Sequence, residues 1–128
     1  MILLDHNIPE DQAEQLRRWR VHFRQIGSDV GRPEWDDQQE VLRYLHAAKH
    51  ATFCTRDLGF FHRRFCHPNY CLVVFDVPVL ETASCIRRLL RHPMLKTGAR
   101  RWGKVLRVSR EKIVLWEIGR EQMINLGW

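Results

Sequence analysis

Two apolar runs that each deliver a carboxylate constrain this chain more than anything else in it. Ile2-Leu3-Leu4 stops at Asp5, and Ala51-Thr52-Phe53-Cys54-Thr55 is followed two residues later by Asp57. Runs this continuous suit strands of a parallel sheet covered on both faces, where ligand-binding groups gather just beyond the carboxyl ends. Two acids brought to one sheet edge point to a metal site.

The rest of the sequence alternates in the same βα rhythm. Residues 2–5 form strand one, residues 9–19 a helix with proline at a tolerated first-turn position, and residues 21–26 strand two. After a loop marked by Gly27, Gly31 and Pro33, Asp36 or Asp37 caps a second helix. Gln39 or Glu40 completes its capping box, and Val41, Leu42, Leu45 and Ala48 form its apolar stripe. Strand three is Ala51–Thr55. Residues 58–65 read as a short aromatic helix, 71–75 as strand four, and 82–92 as a helix with Arg87, Arg88 and Arg91 opposite its apolar side. Residues 104–109 and 112–118 then alternate with period two around Arg110-Glu111, as in a terminal antiparallel strand or hairpin. The segment 92–102, with Pro93, Gly98 and several cations, is the expected mobile loop.

The fold class that follows is α/β with a mainly parallel central sheet. Right-handed crossovers winding outward from strand one give the order 2-1-3-4. Strands one and three are then neighbours about 5 Å apart, so that Asp5 and Asp57 converge.

With 128 residues and 45% hydrophobic content, the chain suits a single domain spanning 1–128. No stretch approaches the roughly 18 apolar residues of a membrane span, and there is neither a basic leader nor a small-residue cleavage site, so a soluble cytoplasmic protein is expected. Cys54, Cys66, Cys71 and Cys85 sit mostly in or beside apolar runs and read as reduced thiols.

Charge is distributed unevenly. Between Leu58 and Arg110, eleven Lys or Arg face only Asp76 and Glu81, a local balance of +9 that leaves the remainder of the chain at −3. Such a half is either a solvated face or a phosphate-binding one. Arg56, Arg63 and Arg64 after strand three, with Arg100, Arg101 and Lys104 further on, are the candidate nucleic-acid contacts. Phe60, Phe61 and Phe65 could stack on bases or fill the core.

Mg²⁺ and Mn²⁺ prefer carboxylate and water ligands, and a few acids around such an ion can promote phosphodiester hydrolysis. Asp5 and Asp57 are the first ligand candidates. A third acid belongs at the start of the second helix, where Asp37 is favoured and Glu40 is next, although capping alone also explains an aspartate there. Asn7 and Thr55 can hold carboxylates or water by hydrogen bonds.

Leu3-Leu4-Asp5-His6-Asn7-Ile8-Pro9, the acid-opened helix and Thr55-Arg56-Asp57-Leu58-Gly59-Phe60 together resemble the compact PIN-like domains, related to the ribonuclease toxins of bacterial toxin–antitoxin pairs. The resemblance covers most of the chain. It implies a three-layer α/β/α PIN-like fold and carries the family's metal-binding acids onto Asp5 and Asp57. Family members typically read Asp-Glu-Asn-x-Pro at the first motif and Thr-x-Asp-x-Asp-Phe at the second. Here His6 replaces the glutamate, Gly59 stands at the second aspartate, and the helix acid falls on Asp37, on uncharged Gln38, or nearby.

What the resemblance implies is a Mg²⁺- or Mn²⁺-dependent endoribonuclease, the toxin of a type II pair, with RNA as substrate and a cognate antitoxin as partner. A homodimer stays open. The alternative is a catalytically degenerate module that binds nucleic acid or protein. A zinc site at His62, Cys66, His67 and Cys71 lacks a paired Cys-x-x-Cys knuckle, and His46 with His50 reads more simply as solvated histidines beside an apolar stripe.

Overall fold

The computed structural model describes residues 1–32 and 38–128. The chain opens with β1 (Ile2–Leu4), whose Leu3 and Leu4 point to opposite faces and are both fully buried. Pro9 gives an extended entry to α1 (Glu10–Arg18), and its carbonyl accepts from the amides of Gln12 and Ala13, each at 3.0 Å. Glu10 and Asp11 in the first turn and Arg17 and Arg18 in the last both suit the helix dipole. The helix ends where Arg20 takes a left-handed φ of 60° and lets the Val21 amide close onto the Leu16 carbonyl at 3.0 Å.

Strand β2 (Arg24–Gln25) is much shorter than the expected 21–26. Its partner β1 offers only three residues, and Val21 and Phe23 pack half-buried against the core instead of extending the ladder. Next comes α2 (Gln38–Ala48), which buries Val41 and Leu45, half-buries Leu42 and leaves Ala48 outside its apolar stripe. The expected caps Asp36 and Asp37 lie outside the described residues. Lys49 and His50, at φ 54° and 55°, turn the chain into β3 (Ala51–Thr55), every residue of which is buried.

The aromatic stretch after β3 does not form the expected helix. It makes two 3-10 turns, Leu58–Phe60 and Arg63–Phe65, separated by His62 in extended conformation. A segment this short has little helical stability of its own, and packing decides its path. Phe60 meets Phe53 edge-on at 5.2 Å between ring centres and is buried. Fully burying a side chain of this size stabilises by roughly 1.5–3 kcal/mol.

Strand β4 (Tyr70–Phe75) is wholly buried, and α3 (Thr82–Leu90) follows, two residues shorter than expected, with Ala83, Cys85, Ile86 and Leu89 inward. The expected mobile loop after it is anchored. Leu95 is fully buried, His92 Nε2 lies 2.6 Å from the Gly127 carbonyl, and a short helix, α4 (Gly98–Arg101), is capped by Thr97. The hairpin forms as β5 (Lys104–Val108) and β6 (Lys112–Glu117), and the chain adds β7 (Ile124–Gly127) along β6. The alternation Ile124, Leu126 was the sequence signal for that last strand, which the reading of residues did not use.

The molecule is thus α/β, with one seven-stranded mixed sheet in the order β2-β1-β3-β4-β5-β6-β7. The first five strands are parallel and the last two antiparallel. One face, carrying Leu4, Cys54, Val73, Phe75 and Leu106, is covered by α1 and α3. The other, carrying Leu3, Phe53, Leu72, Val74 and Val105, is covered by α2 and the 3-10 turns. No helix among the described residues is long and apolar enough to cross a membrane.

Candidate functional site

Parallel pairing of Leu4 with Cys54 sets the carboxyl ends of β1 and β3 side by side. The Asp5 amide donates to the Cys54 carbonyl at 2.9 Å, so Asp5 leaves the sheet directly beside Thr55. Asp5 is only 3% exposed. A carboxylate so buried must have its lone pairs satisfied. Asp5 Oδ1 accepts from the His6 amide and from the His6 Nδ1, each at 2.8 Å, while Oδ2 accepts from the Thr55 hydroxyl at 2.7 Å. Because an ionised carboxylate only accepts, that contact assigns the hydrogen of His6 to Nδ1.

Thr55 is the hub of this edge. While donating to Asp5, its Oγ1 accepts from the Asp57 amide at 3.0 Å and from Asn7 Nδ2 at 3.2 Å. Asn7 Oδ1 in turn accepts from the Arg56 amide at 3.2 Å, clipping the loop after β1 to the loop after β3. Asp57 is exposed and uses Oδ1 to accept from the Gly59 amide at 2.9 Å, capping the first 3-10 turn. Thr55 thus bonds the Asp5 carboxylate directly, whereas the bonds of Asn7 go to the Thr55 hydroxyl and the Arg56 amide and not to a carboxylate.

From the opposite helix layer, Gln38 at the start of α2 reaches the same turn. A side chain at Gly59 would begin 2.6 Å from Gln38 Nε2 and 3.1 Å from Asp57 Oδ1. Glu40, two residues further on, lies half-buried in the first turn of α2. Asp37 lies outside the described residues. Gln25 is a further contributor that the sequence reading did not single out. Buried at the end of β2, it donates from Nε2 to the carbonyls of Asp5 (3.2 Å) and Ile8 (3.0 Å) and fixes the turn that presents Asp5. Gln25 carries no charge and belongs to no motif, so nothing in the sequence marked it, whereas Gln38 is one of the positions onto which the resemblance lets the helix acid fall.

The expected phosphate contacts divide. Arg56 is spent on structure, with Nη1 donating to the Val77 carbonyl at 2.9 Å and to the Thr82 hydroxyl oxygen at 3.0 Å. Arg63 and Arg64 are exposed and lie over the rings of Trp116 and Phe65, at 6.0 and 4.7 Å. Arg100, Arg101 and Lys104 are not brought to the acids at all. They sit at the amino-terminal edge of the sheet, where Arg101 donates to Thr52 Oγ1 at 2.8 Å, five residues of chain below Asp57 and roughly 16 Å of strand away. Arg101 is buried, its guanidinium pKa lowered by desolvation. Arg100 donates to the Pro93 carbonyl, and Lys104 pairs with Glu117 at 3.5 Å. Charge counting along the sequence could not see this, because β3 and β5 run parallel and place their first residues at the far edge.

Asp76, ending β4 at the carboxyl edge, is tied to Arg107 Nη2 at 2.6 Å. The alternative metal ligands are dispersed. Cys71 is buried in the core, and His62 and His67 each accept a backbone amide at Nδ1. His46 stands 4.4 Å from the His67 ring and 3.2 Å from the Tyr70 hydroxyl, while His50 stacks on Trp102. All four cysteines are free, and burial pushes the Cys54 thiol up to about 12.

Among the described residues no group of three His, Cys, Asp or Glu is poised around one point. The donor chemistry nevertheless suits a hard cation. Asp5 and Asp57 are oxygen ligands at one edge, the second oxygen of each carries fewer bonds than the first, and Mg²⁺ commonly keeps several waters while using one or two carboxylates. Comparison with known protein families, curated proteins and solved structures finds no match for this chain.

Proposed function

We propose that this chain is a metal-dependent endoribonuclease of PIN-like type, the toxin component of a type II toxin–antitoxin pair acting in the cytoplasm. The observation that supports it is the Thr55 hub, which holds Asp5 and Asp57 at one sheet edge with the start of α2 against the same turn. Asp5 and Asp57 would hold Mg²⁺ or Mn²⁺, with Asp37 the candidate third acid. Bound there, the ion supplies Lewis-acid stabilisation of the charge that develops at a phosphodiester.

The chain's own contribution is positioning. Thr55 and His6 fix the Asp5 carboxylate in one orientation, so little reorganisation is left for the moment of reaction. Arg63 and Arg64, exposed beyond the same loop, are available for substrate phosphates. A cognate antitoxin would cover this edge.

A second reading is favoured by Gly59 and by the filled coordination of Asp5 Oδ1: a module that binds nucleic acid or protein without cleaving. Incubating the protein with single-stranded RNA and Mg²⁺ or Mn²⁺ separates the two. The nuclease reading expects cleavage that EDTA stops and that falls at least about a hundredfold in Asp5→Ala and in Asp57→Ala. Intact RNA, or an unchanged rate in Asp5→Ala, would sink it.

A further inference from the structure

The outward face of α3 carries three arginines whose donors are unspent. Several arginines elsewhere in the fold are consumed: Arg17 by Glu10 and Glu14, Arg56 by Val77 and Thr82, Arg101 by Thr52 and Leu95, Arg107 by Asp76, and Arg110 by Glu81. Among the described residues Arg87, Arg88 and Arg91 form no ion pair. Glu81, which immediately precedes the helix, is held by Arg110. No acidic residue occurs in the first turn of α3.

Two of these guanidiniums are also held in place. Arg87 lies 4.5 Å over the ring of Trp19, at the end of α1, and Arg88 lies 4.2 Å over Trp128. Trp128 is itself fixed by its Nε1, which donates to the Ser109 carbonyl at 2.7 Å. Arg91 shares their face, four residues from Arg87 and three from Arg88. Together with Trp19 and Ser84 the three line an open cleft of about 330 Å³. Stacking on a ring restrains the long side chain while leaving the planar fork of donors directed outward, so less entropy is lost when a phosphate binds. Both aromatic and cationic groups are then available to a strand, since bases also lie on guanidinium planes.

We propose that the outer face of the α1–α3 layer is a polynucleotide-binding surface, on which Arg87, Arg88 and Arg91 hold the phosphodiester backbone. This surface is separate from the Asp5–Asp57 edge, and binding to it does not depend on cleavage. An acidic peptide would meet the charges but not the stacking planes.

Fluorescence anisotropy with a labelled single-stranded RNA, titrated with salt in EDTA, tests it without any contribution from cleavage; a DNA strand of the same sequence reports whether the sugar matters. The variant Arg87→Gln/Arg88→Gln/Arg91→Gln is expected to bind about tenfold more weakly and to lower the slope of log K against log salt by about 2, as loss of three phosphate contacts predicts. Replacing the three by lysine should retain most of the slope. A charge-matched control, Lys49→Gln/Lys112→Gln/Arg120→Gln, should bind like the parent chain. The inference is overturned if the parent chain binds neither strand, or if the arginine variant binds as tightly as the parent. It is overturned equally if the control loses as much as the arginine variant, or if polyglutamate at equal charge displaces RNA as well as RNA does.

Discussion

The hydroxyl of Thr55 donates to Asp5 Oδ2 at 2.7 Å from a position with no solvent exposure, and this one bond ties the ends of two neighbouring strands. The same oxygen accepts from Asp57 and Asn7, so its donor and both acceptor sites are filled.

Replacing Thr55 by valine keeps the volume and removes all three bonds, leaving a buried carboxylate short of a donor. Each unsatisfied group of this kind costs about 1–3 kcal/mol. The expected loss is roughly 2–3 kcal/mol, a fall of about 10 °C in Tm for a domain of this size. A melting curve within 2 °C of the parent would show that water replaces the hydroxyl at this edge.

Gly59→Asp is expected to strengthen divalent-metal binding. The new side chain begins against Gln38 Nε2, the far end of a flexible side chain, which can swing aside, and it adds a third carboxylate near Asp57. Calorimetric titration with Mn²⁺ should give an affinity higher by about tenfold, since charge count sets affinity at oxygen sites. Without metal the added negative charge should lower Tm slightly. An unchanged Mn²⁺ affinity with the fold intact would place the ion elsewhere.

Arg56→Ala should act on stability and not on nucleic acid. Its Nη1 joins the loop after β3 to the start of α3 through the Val77 carbonyl and the fully buried Thr82. Loss of two such bonds is worth about 1–3 kcal/mol. The salt slope of RNA binding should not move, whereas a slope reduced by about 0.7 would assign Arg56 to a phosphate.

His67 gives the chain a pH dependence of known sign. Burial, and then the positive charge of His46, lower its pKa from the ordinary value of 6.5. Its Nδ1 accepts from the Asn69 amide at 3.1 Å and its ring stacks on Tyr70, an arrangement that suits the neutral imidazole. Between the lowered and ordinary values the unfolded chain binds more protons than the folded one. The stabilisation is therefore complete above the ordinary value and drains away as pH falls through it. His67→Phe keeps the stack and removes the titration, so its Tm should fall less than that of the parent from about pH 7.5 to about pH 5.5. Parallel declines in the two proteins would remove His67 from the account.

The α/β class, β3, the β5–β6 hairpin and the placing of Asp5 beside Thr55 were all legible, because continuous apolar runs and period-two alternation survive into the structure unchanged. The aromatic stretch after β3 was misread as a helix. Phe61 and Phe65 have helix-like spacing, but Phe60 answers to Phe53 and the sheet, and tertiary packing overrides a weak local preference. The supposed loop after α3 was misread because a buried Leu95 and a buried Arg101 anchor it, and Arg101 looked like a surface cation. Gln25 is not legible for a different reason: its role depends on which carbonyls the fold brings near it.

The parallel order of the first five strands has a consequence for when the acid edge comes into being. Asp5, Gln38, Thr55 and Asp57 all belong to the first half of the chain and leave the ribosome early. β3, which carries Thr55, is paired on its other side by β4, and β4 by β5, so its burial waits for residues up to Val108. Such long-range pairing is slow compared with helix formation. A nascent chain displaying both Asp5 and Asp57 still lacks the sheet that aligns them, and the site matures only as residues up to Val108 are made.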